Sequence, residues 1–246
     1  MGLSMSAAGA VEGQSNCIAT DALKTPVFTR LTGKRIVLAS GSPRRLDLLA
    51  SVGVHPDVVP SRFQEDLAKS DFHEDTLYEY PVDTATHKAK EVYERLVRET
   101  PEHPPDLVIA ADTVIVFQNE ILEKPKDKRD NLRMLADMAG HTCQVITGVA
   151  LIHPILQAPG YKVHTVFERT RVHFADTPYE LLHAYVDSGE GLDRAGGFAI
   201  QGRGALLIQS VEGDYNNVVG FPLYSVFSLL HDLVENEELD LEGTDL

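Results

Sequence analysis

No run of about eighteen apolar residues, the length a membrane-spanning helix needs, occurs in the 246-residue chain, so no membrane partner is expected. The first thirty residues also lack the basic start and continuous apolar core of a secretory signal. Cysteine is scarce. Cys17 lies in a polar leader and Cys143 in a predicted strand, so neither a disulfide framework nor a zinc site is expected and a reducing compartment fits. A cytoplasmic protein is predicted, with nuclear entry left open. Positive charge is short as well: 22 basic against 37 acidic residues leave a formal charge of −15. Such a field repels nucleic acid and anionic membrane, so no nucleic-acid partner is expected.

What is present describes a globular protein. Hydrophobic residues make up 43% and charged residues 24% of the chain, enough for a sizeable core in one domain or two closely joined lobes. Residues 1–32 are rich in small and polar residues without period and read as an extension. Residues 33–234 carry the periodic segments, and 235–246 read as an acidic tail.

The first informative stretch is IVLASGSPRRLDLLASVG at 36–53. Ile36 to Ala39 read as a strand buried on both faces, and Ser42 followed by Pro43 reads as a helix cap with proline at the first helical position. Leu46, Leu49 and Ala50 form the buried stripe. The turn gathers free backbone N–H groups, the hydroxyls of Ser40 and Ser42, and the guanidinium groups of Arg44 and Arg45, a combination suited to phosphate. Arginine is disfavoured by the dipole at a helix start, so a pair there asks for an anion. The plainer reading is ordinary capping with two solvated arginines.

Further along, Ala85, Ala89, Val92 and Leu96 predict a helix over 84–98 whose other face carries Lys88 and Lys90. DLVIAADTVIVF at 106–117 is the strongest strand, turning at Gln118-Asn119-Glu120 to a short partner, Ile121-Leu122. A helix over 127–139, strands over 143–152 and 161–174, and a Thr177-to-Glu180 capping box opening a helix over 178–186 follow. Glycines at 196, 197, 202 and 204 bracket Phe198 to Gln201, a strand is predicted over 205–211, and Pro222 opens the last helix.

Asp112 is the most informative carboxylate. Inside VIAADTVIV an unpaired charge would cost several kcal/mol to bury, so Asp112 should meet a cation, a metal or a set of donors. Thr113 adds a hydroxyl, and Glu123 or Lys124 is expected to return beside Asp112 across the hairpin. Mg2+ needs only one or two carboxylates besides phosphate oxygens and water, so Asp112 with Glu65 would suffice. Gln201 offers both a donor and acceptors, as reading a base edge requires. The glycine-rich loop around it is either a place where backbone approaches a ligand or a tight connection.

With LASGSPRR at 38–45, ADTVIV at 111–116, ILEKP at 121–125, ITGVAL at 146–151 and AGGFAIQGRGALLIQSVEGDYNNVVGFPL at 195–223 in order, the chain resembles the Maf family of nucleoside triphosphate pyrophosphatases. The resemblance implies an α/β fold, an elongated mixed twisted sheet flanked by helices with a cleft between two lobes. It also implies a divalent cation (Mg2+ or Mn2+), a homodimer, and hydrolysis of a nucleoside triphosphate to monophosphate and pyrophosphate. Carried over by position, it makes Ser40, Ser42, Arg44, Arg45 and Lys88 phosphate-binding, Asp112 the proton acceptor and Glu65 with Asp112 the metal-holding pair, while Lys124 lies in the EKP motif. Arg44, Thr113 and Gln201 resemble the dTTP/UTP-directed branch. The alternatives weighed are 7-methyl-GTP as substrate, a nucleotide-binding regulator without catalysis, and a phosphatase releasing orthophosphate.

Overall fold

A computed structural model describes residues 16–73 and 75–239. Seven strands form one mixed sheet: β1 (Ile36–Leu38), β2 (Asp57–Val58), β3 (Leu107–Phe117), β4 (Glu120–Leu122), β5 (Thr142–Pro154), β6 (Tyr161–Phe174) and β7 (Ile208–Glu212). Their order is β2-β1-β3-β5-β6-β7, with β4 paired to β3. β1 runs parallel to β2 and β3; every other pairing is antiparallel. Among the described residues seven α-helices pack on it: α1 (Pro26–Leu31), α2 (Pro43–Ser51), α3 (Glu79–Glu99), α4 (Lys128–Met138), α5 (Tyr179–Asp187), α6 (Tyr215–Val219) and α7 (Leu223–Glu235). None of the described helices is long and apolar enough to cross a membrane.

The period of two along β3 divides the core. Leu107, Ile109 and Ala111 face one side with β1, α1 and α7, and Val108 and Ala110 face the other with α3. Beyond the middle the same two faces continue into different clusters, Ile115 and Phe117 with α4 and α5, Val114 and Val116 with Tyr80 and Leu77. Asp112 and Thr113 sit where one pair of clusters ends and the next begins.

At that level the sheet itself has a gap. One edge of β3 is paired with β5 from Val108 to Val116 without a break. The other edge pairs with β1 only as far as Ile109 and resumes with β4 at Ile115. The positions between present their side chains on alternate faces, and through the gap both faces reach one space. β4 returns toward the gap through a hairpin in which Gln118 and Asn119 both have positive φ, the turn geometry that matches strand twist.

Several sequence expectations are corrected. α3 starts at Glu79, five residues before the predicted helix, and Lys88 is buried rather than on a solvated face. It is drawn in because the first turn of α3 lies on Gly148 of β5, where an added Cβ would come within 2.3 Å of the Val82 backbone nitrogen. The expected extension is packed from residue 16 onward. Cys17, Ile18, Val27, Phe28 and Leu31 lie in the core, Ile18 bridges to Val54, and Phe28 meets Phe227 of α7 with ring centroids 5.3 Å apart. Leu239 of the expected acidic tail is buried in the same cluster. Residues 1–15 and 240–246 lie outside the described residues. The capping box does not form, because Pro178 is the cap residue and Thr177 donates its hydroxyl to the Ala175 carbonyl. The strand predicted over 205–211 begins only at Ile208. Before it, Arg203–Leu207 is a 3-10 turn whose first amides are bonded to Glu190.

Candidate active site

The gap in the sheet opens into a cavity of about 630 Å³, within the range of roughly 300–1,000 Å³ usual for small-molecule sites. Every candidate residue from the sequence lines it: Ser40, Ser42, Arg44 and Arg45 after β1, Glu65, Lys88 of α3, Asp112 and Thr113 of β3, Lys124 after β4, and Gln201.

On the α3 face, the Lys88 ammonium lies 2.8 Å from Asp112 Oδ1 and 2.7 Å from Glu65 Oε1. Lys88 and Asp112 are each only 8% exposed, so the pairing answers the cost of burying either charge alone. Asp112 Oδ2 has no hydrogen-bond partner among the described residues. The partner of Asp112 is therefore Lys88, not the hairpin. Lys124 instead pairs with Asp193 at 2.6 Å, and Glu123 accepts from Tyr80 Oη at 2.8 Å and meets Lys69 Nζ at 2.8 Å. Burial raises the Glu123 carboxyl, but Lys69 and Tyr80 outweigh it and hold the group below the usual carboxylate range.

On the opposite face, Arg45 ties three segments together. Its Nε donates to the Gly220 carbonyl at 3.0 Å, Nη1 to Ser40 Oγ at 3.0 Å, and Nη2 to Thr113 Oγ1 at 3.1 Å. Burial lowers its pKa and the Asp112 carboxylate opposes that shift. Five guanidinium N–H groups are available to an arginine, so two remain for a ligand. Ser42 caps α2 by position but not by its side chain; the Ser42 amide bonds Ser40 Oγ instead, and its own hydroxyl is left to the cavity. Arg44 is lowered by its burial while Asp193 across the cavity raises it.

Glu65 comes from an irregular segment that α3 secures. Glu91 accepts from Ser61 Oγ at 3.0 Å, from the Arg62 amide at 2.9 Å and from Arg95 at 2.7 Å, while Arg95 also donates to the Pro60 carbonyl at 3.0 Å. Phe63 stacks on His87, centroids 4.9 Å apart. Burial raises the Glu91 carboxyl, but the bonds from Arg95, the Arg62 amide and Ser61 outweigh it, leaving the pKa below its ordinary value. Glu91→Gln is expected to cost about 1–3 kcal/mol at neutral pH. A depressed folded-state pKa gives stability that is present above the unfolded carboxylate value and lost as pH falls through the folded one. Chemical denaturation of both proteins should therefore converge in acid and diverge near pH 7.

Phe198, Ala199 and Gln201 of the glycine-rich segment also line the cavity, with the apolar Ile115, Val218 and Val219. The glycines there serve the protein itself. A Cβ at Gly196 would meet Ile115, at Gly197 Asn131, at Gly202 Glu190 and at Gly204 the Ala199 backbone. Sequence reasoning missed Asp193 and Arg194, both lining the cavity. The Arg194 Nε and Nη1 atoms are buried without a hydrogen-bond partner among the described residues. Their only signal was two opposite charges directly preceding Ala195-Gly196-Gly197.

For a divalent cation the donor set fits. Glu65 and Asp112 supply hard carboxylate oxygens that converge on one point, now satisfied by the Lys88 ammonium. No cluster of three metal-ligating side chains occurs among the described residues. The protein's share is then two carboxylates, with phosphate and water completing the octahedron Mg2+ prefers.

Cations on both faces of a sheet gap, a buried carboxylate with one open oxygen and a lining that adds apolar side chains and one amide define an α/β protein with a cavity suited to an anionic ligand. The chain belongs to the Maf family, whose "Maf-like protein" model matches residues 35–233. It is 43% identical over 224 residues to the dTTP/UTP pyrophosphatase of Schizosaccharomyces pombe, covering 89% of this chain and 91% of that one. It is 42% identical over 199 residues to the dTTP/UTP pyrophosphatase of Deinococcus radiodurans, 81% and 93% of the two chains. It is also 46% identical over 202 residues to a human protein named probable bifunctional dTTP/UTP pyrophosphatase/methyltransferase, covering 80% of this chain but 32% of the human one.

Proposed function

We propose that this chain hydrolyses dTTP and UTP to the nucleoside monophosphate and pyrophosphate. The observation that carries the reading is the meeting, in one gap of the sheet, of the Lys88–Asp112–Glu65 cluster and the Arg45–Ser40–Thr113 clamp, with Gln201 lining the same cavity. The relatives named as dTTP/UTP pyrophosphatases match across most of the chain, and the family model spans residues 35–233, which contain every residue of the site. The four core clusters, two on either side of Asp112 and Thr113 along β3, support an elongated body of two lobes with the cleft between them.

In this mechanism Asp112 Oδ2 takes a proton from a water that attacks the α-phosphorus in line, while Lys88 holds Oδ1. The new bond is from the water oxygen to the α-phosphorus; the bond that breaks joins that phosphorus to the oxygen bridging to the β-phosphoryl group. Negative charge grows on the departing pyrophosphate, and Arg44, Arg45, Lys88 and Lys124 face it. Glu65 and Asp112 would hold Mg2+ or Mn2+, which when bound neutralises phosphate charge and makes water more acidic. Gln201 pairs with the pyrimidine edge, and Thr113 reaches the site through Arg45. The net charge of −15 disfavours nucleic acid and anionic membrane as partners and supports a small-molecule substrate; the cytoplasm is the proposed location, and a homodimer is the assembly that the family resemblance implies.

The test is a panel of dTTP, UTP, CTP, GTP, ATP and 7-methyl-GTP with Mg2+, with products separated. Monophosphate and pyrophosphate from dTTP and UTP are expected. Orthophosphate and diphosphate would move the attack to the γ-phosphorus. Turnover of 7-methyl-GTP alone would discard the base assignment, and binding without turnover would make the chain a regulator.

A further inference from the structure

Gln201 makes no side-chain hydrogen bond among the described residues, yet the backbone on either side of it is held. On one side the Ala199 amide donates to the Tyr185 hydroxyl at 3.1 Å. On the other the two oxygens of one carboxylate are both used: Glu190 Oε1 accepts from the Arg203 amide at 3.1 Å and Oε2 from the Gly204 amide at 3.0 Å. The loop closes on itself through Gly202, whose amide reaches the Ala199 carbonyl at 3.3 Å. Gly202 has no side chain for a reason, since a Cβ there would stand 2.3 Å from Glu190 Oε1. Tyr185 lies in the last turn of α5 (Tyr179–Asp187) and Glu190 in the turn that follows it, so the end of one helix holds both limbs of the loop that presents Gln201. Neither residue lines the cavity.

We infer that Glu190 is a positioning residue for nucleobase selection, holding Gln201 at the base end of the cavity through the Arg203 and Gly204 amides. The inference rests on the reading of Gln201 as the base-contacting group. A carboxylate is required because it is acceptor-only and offers both oxygens to two parallel N–H groups. Glutamine is its isostere but turns an NH2 toward one of those amides, donor against donor, and that limb of the loop is released. Tyr185 supports the other limb; burial and the neighbouring Glu190 carboxylate both push its hydroxyl pKa up, so it stays a neutral partner for the Ala199 amide.

The experiment compares wild type, Glu190→Gln, Gln201→Ala and the double variant, with Tyr185→Phe as a second release of the loop, at the Ala199 amide. KM and kcat are read for whichever nucleoside triphosphate the wild type turns over and for a poor purine substrate, together with the inhibition constant of inorganic pyrophosphate. Misplacing a contact group by about 1 Å costs up to about 100-fold. Glu190→Gln should raise KM for the preferred nucleotide about 10-fold and lower the preference over the purine. It should leave the pyrophosphate constant within about twofold, because the phosphate end is built from other segments, and add little to Gln201→Ala. Tyr185→Phe should shift the preference the same way. Equal losses with both nucleotides, a parallel rise in the pyrophosphate constant, or full additivity with Gln201→Ala would overturn the inference. A wild type that prefers no pyrimidine would refute the base assignment and with it the role of Glu190 in base selection, whereas a pyrimidine preference left intact by Glu190→Gln would overturn the inference alone.

Discussion

Asp112→Asn is expected to lower kcat for dTTP by about 10²–10⁴-fold, the usual worth of a positioned general base, while the nucleotide still binds. Asparagine keeps the size and one acceptor oxygen for Lys88 but cannot take a proton from water. The variant also leaves Lys88, 8% exposed, with Glu65 as its only carboxylate partner in the site, and Glu65 is the more exposed of the two. Without a divalent cation, affinity for a triphosphate should hold or rise, because a carboxylate has been removed from beside Lys88 and Arg45. Single-turnover kinetics and calorimetric titration with a non-hydrolysable dTTP analogue separate these effects. Retained turnover would remove Asp112 as the proton acceptor; loss of turnover together with loss of binding would make it chiefly a binding or folding residue.

Arg45→Lys should be the second most damaging change, although it conserves charge. The planar fork of Arg45 reaches a carbonyl and two hydroxyls in three separate segments: the turn after β1, the middle of β3 and the end of α6. An ammonium is a point charge on a flexible stem and cannot span all three. Thr113 and Ser40 would lose the group that aligns them with the phosphates. A drop in kcat/KM of about 10²–10³-fold is expected, comparable to removing one preorganised donor from an oxyanion site, with a lowered Tm. Arg44→Lys provides the contrast. Arg44 lines the cavity without an ion-pair partner within bonding distance among the described residues, and feels the fields of Asp193 and Arg45. Its exchange for lysine keeps what it offers, a nearby positive charge, and should cost about tenfold less. Equal losses for the two would mean that Arg45 acts by charge alone.

Four of the candidate site residues were legible because each breaks its local pattern. Asp112 interrupts nine apolar neighbours, Arg44 and Arg45 sit at the helix end that repels them, and Gln201 stands among glycines. Such departures from the ordinary pattern are where functional residues stand out in a sequence. Lys88 broke no pattern. A lysine on an amphipathic helix reads as solvated, and only the close seating of α3 on Gly148 puts it beside Asp112. Glu65 was one acid among several in an irregular acidic stretch, singled out by resemblance rather than by period. Its place depends on Glu91 and Arg95 gripping the backbone at residues 60–62.

By itself the sequence determined the elements and their chemistry: short apolar runs made strands, amphipathic periods made helices, and the motif order placed the chain in a family whose members handle nucleoside triphosphates. These properties are local, since they depend on residues within a turn or a strand of one another. Only the tertiary structure decided the pairings. The gap on one edge of β3 is set by where β1 and β4 pair with it, and the packing of residues 17–31 on α7, the Lys88–Asp112 contact and the hold of Glu190 on the Gln201 loop join residues well apart in the chain, 199 positions for Phe28 and Phe227, 24 for Lys88 and Asp112 and 13 for Glu190 and Arg203. Long-range burial and the need to pair each buried charge and amide chose those partners, and no period along the chain records that choice.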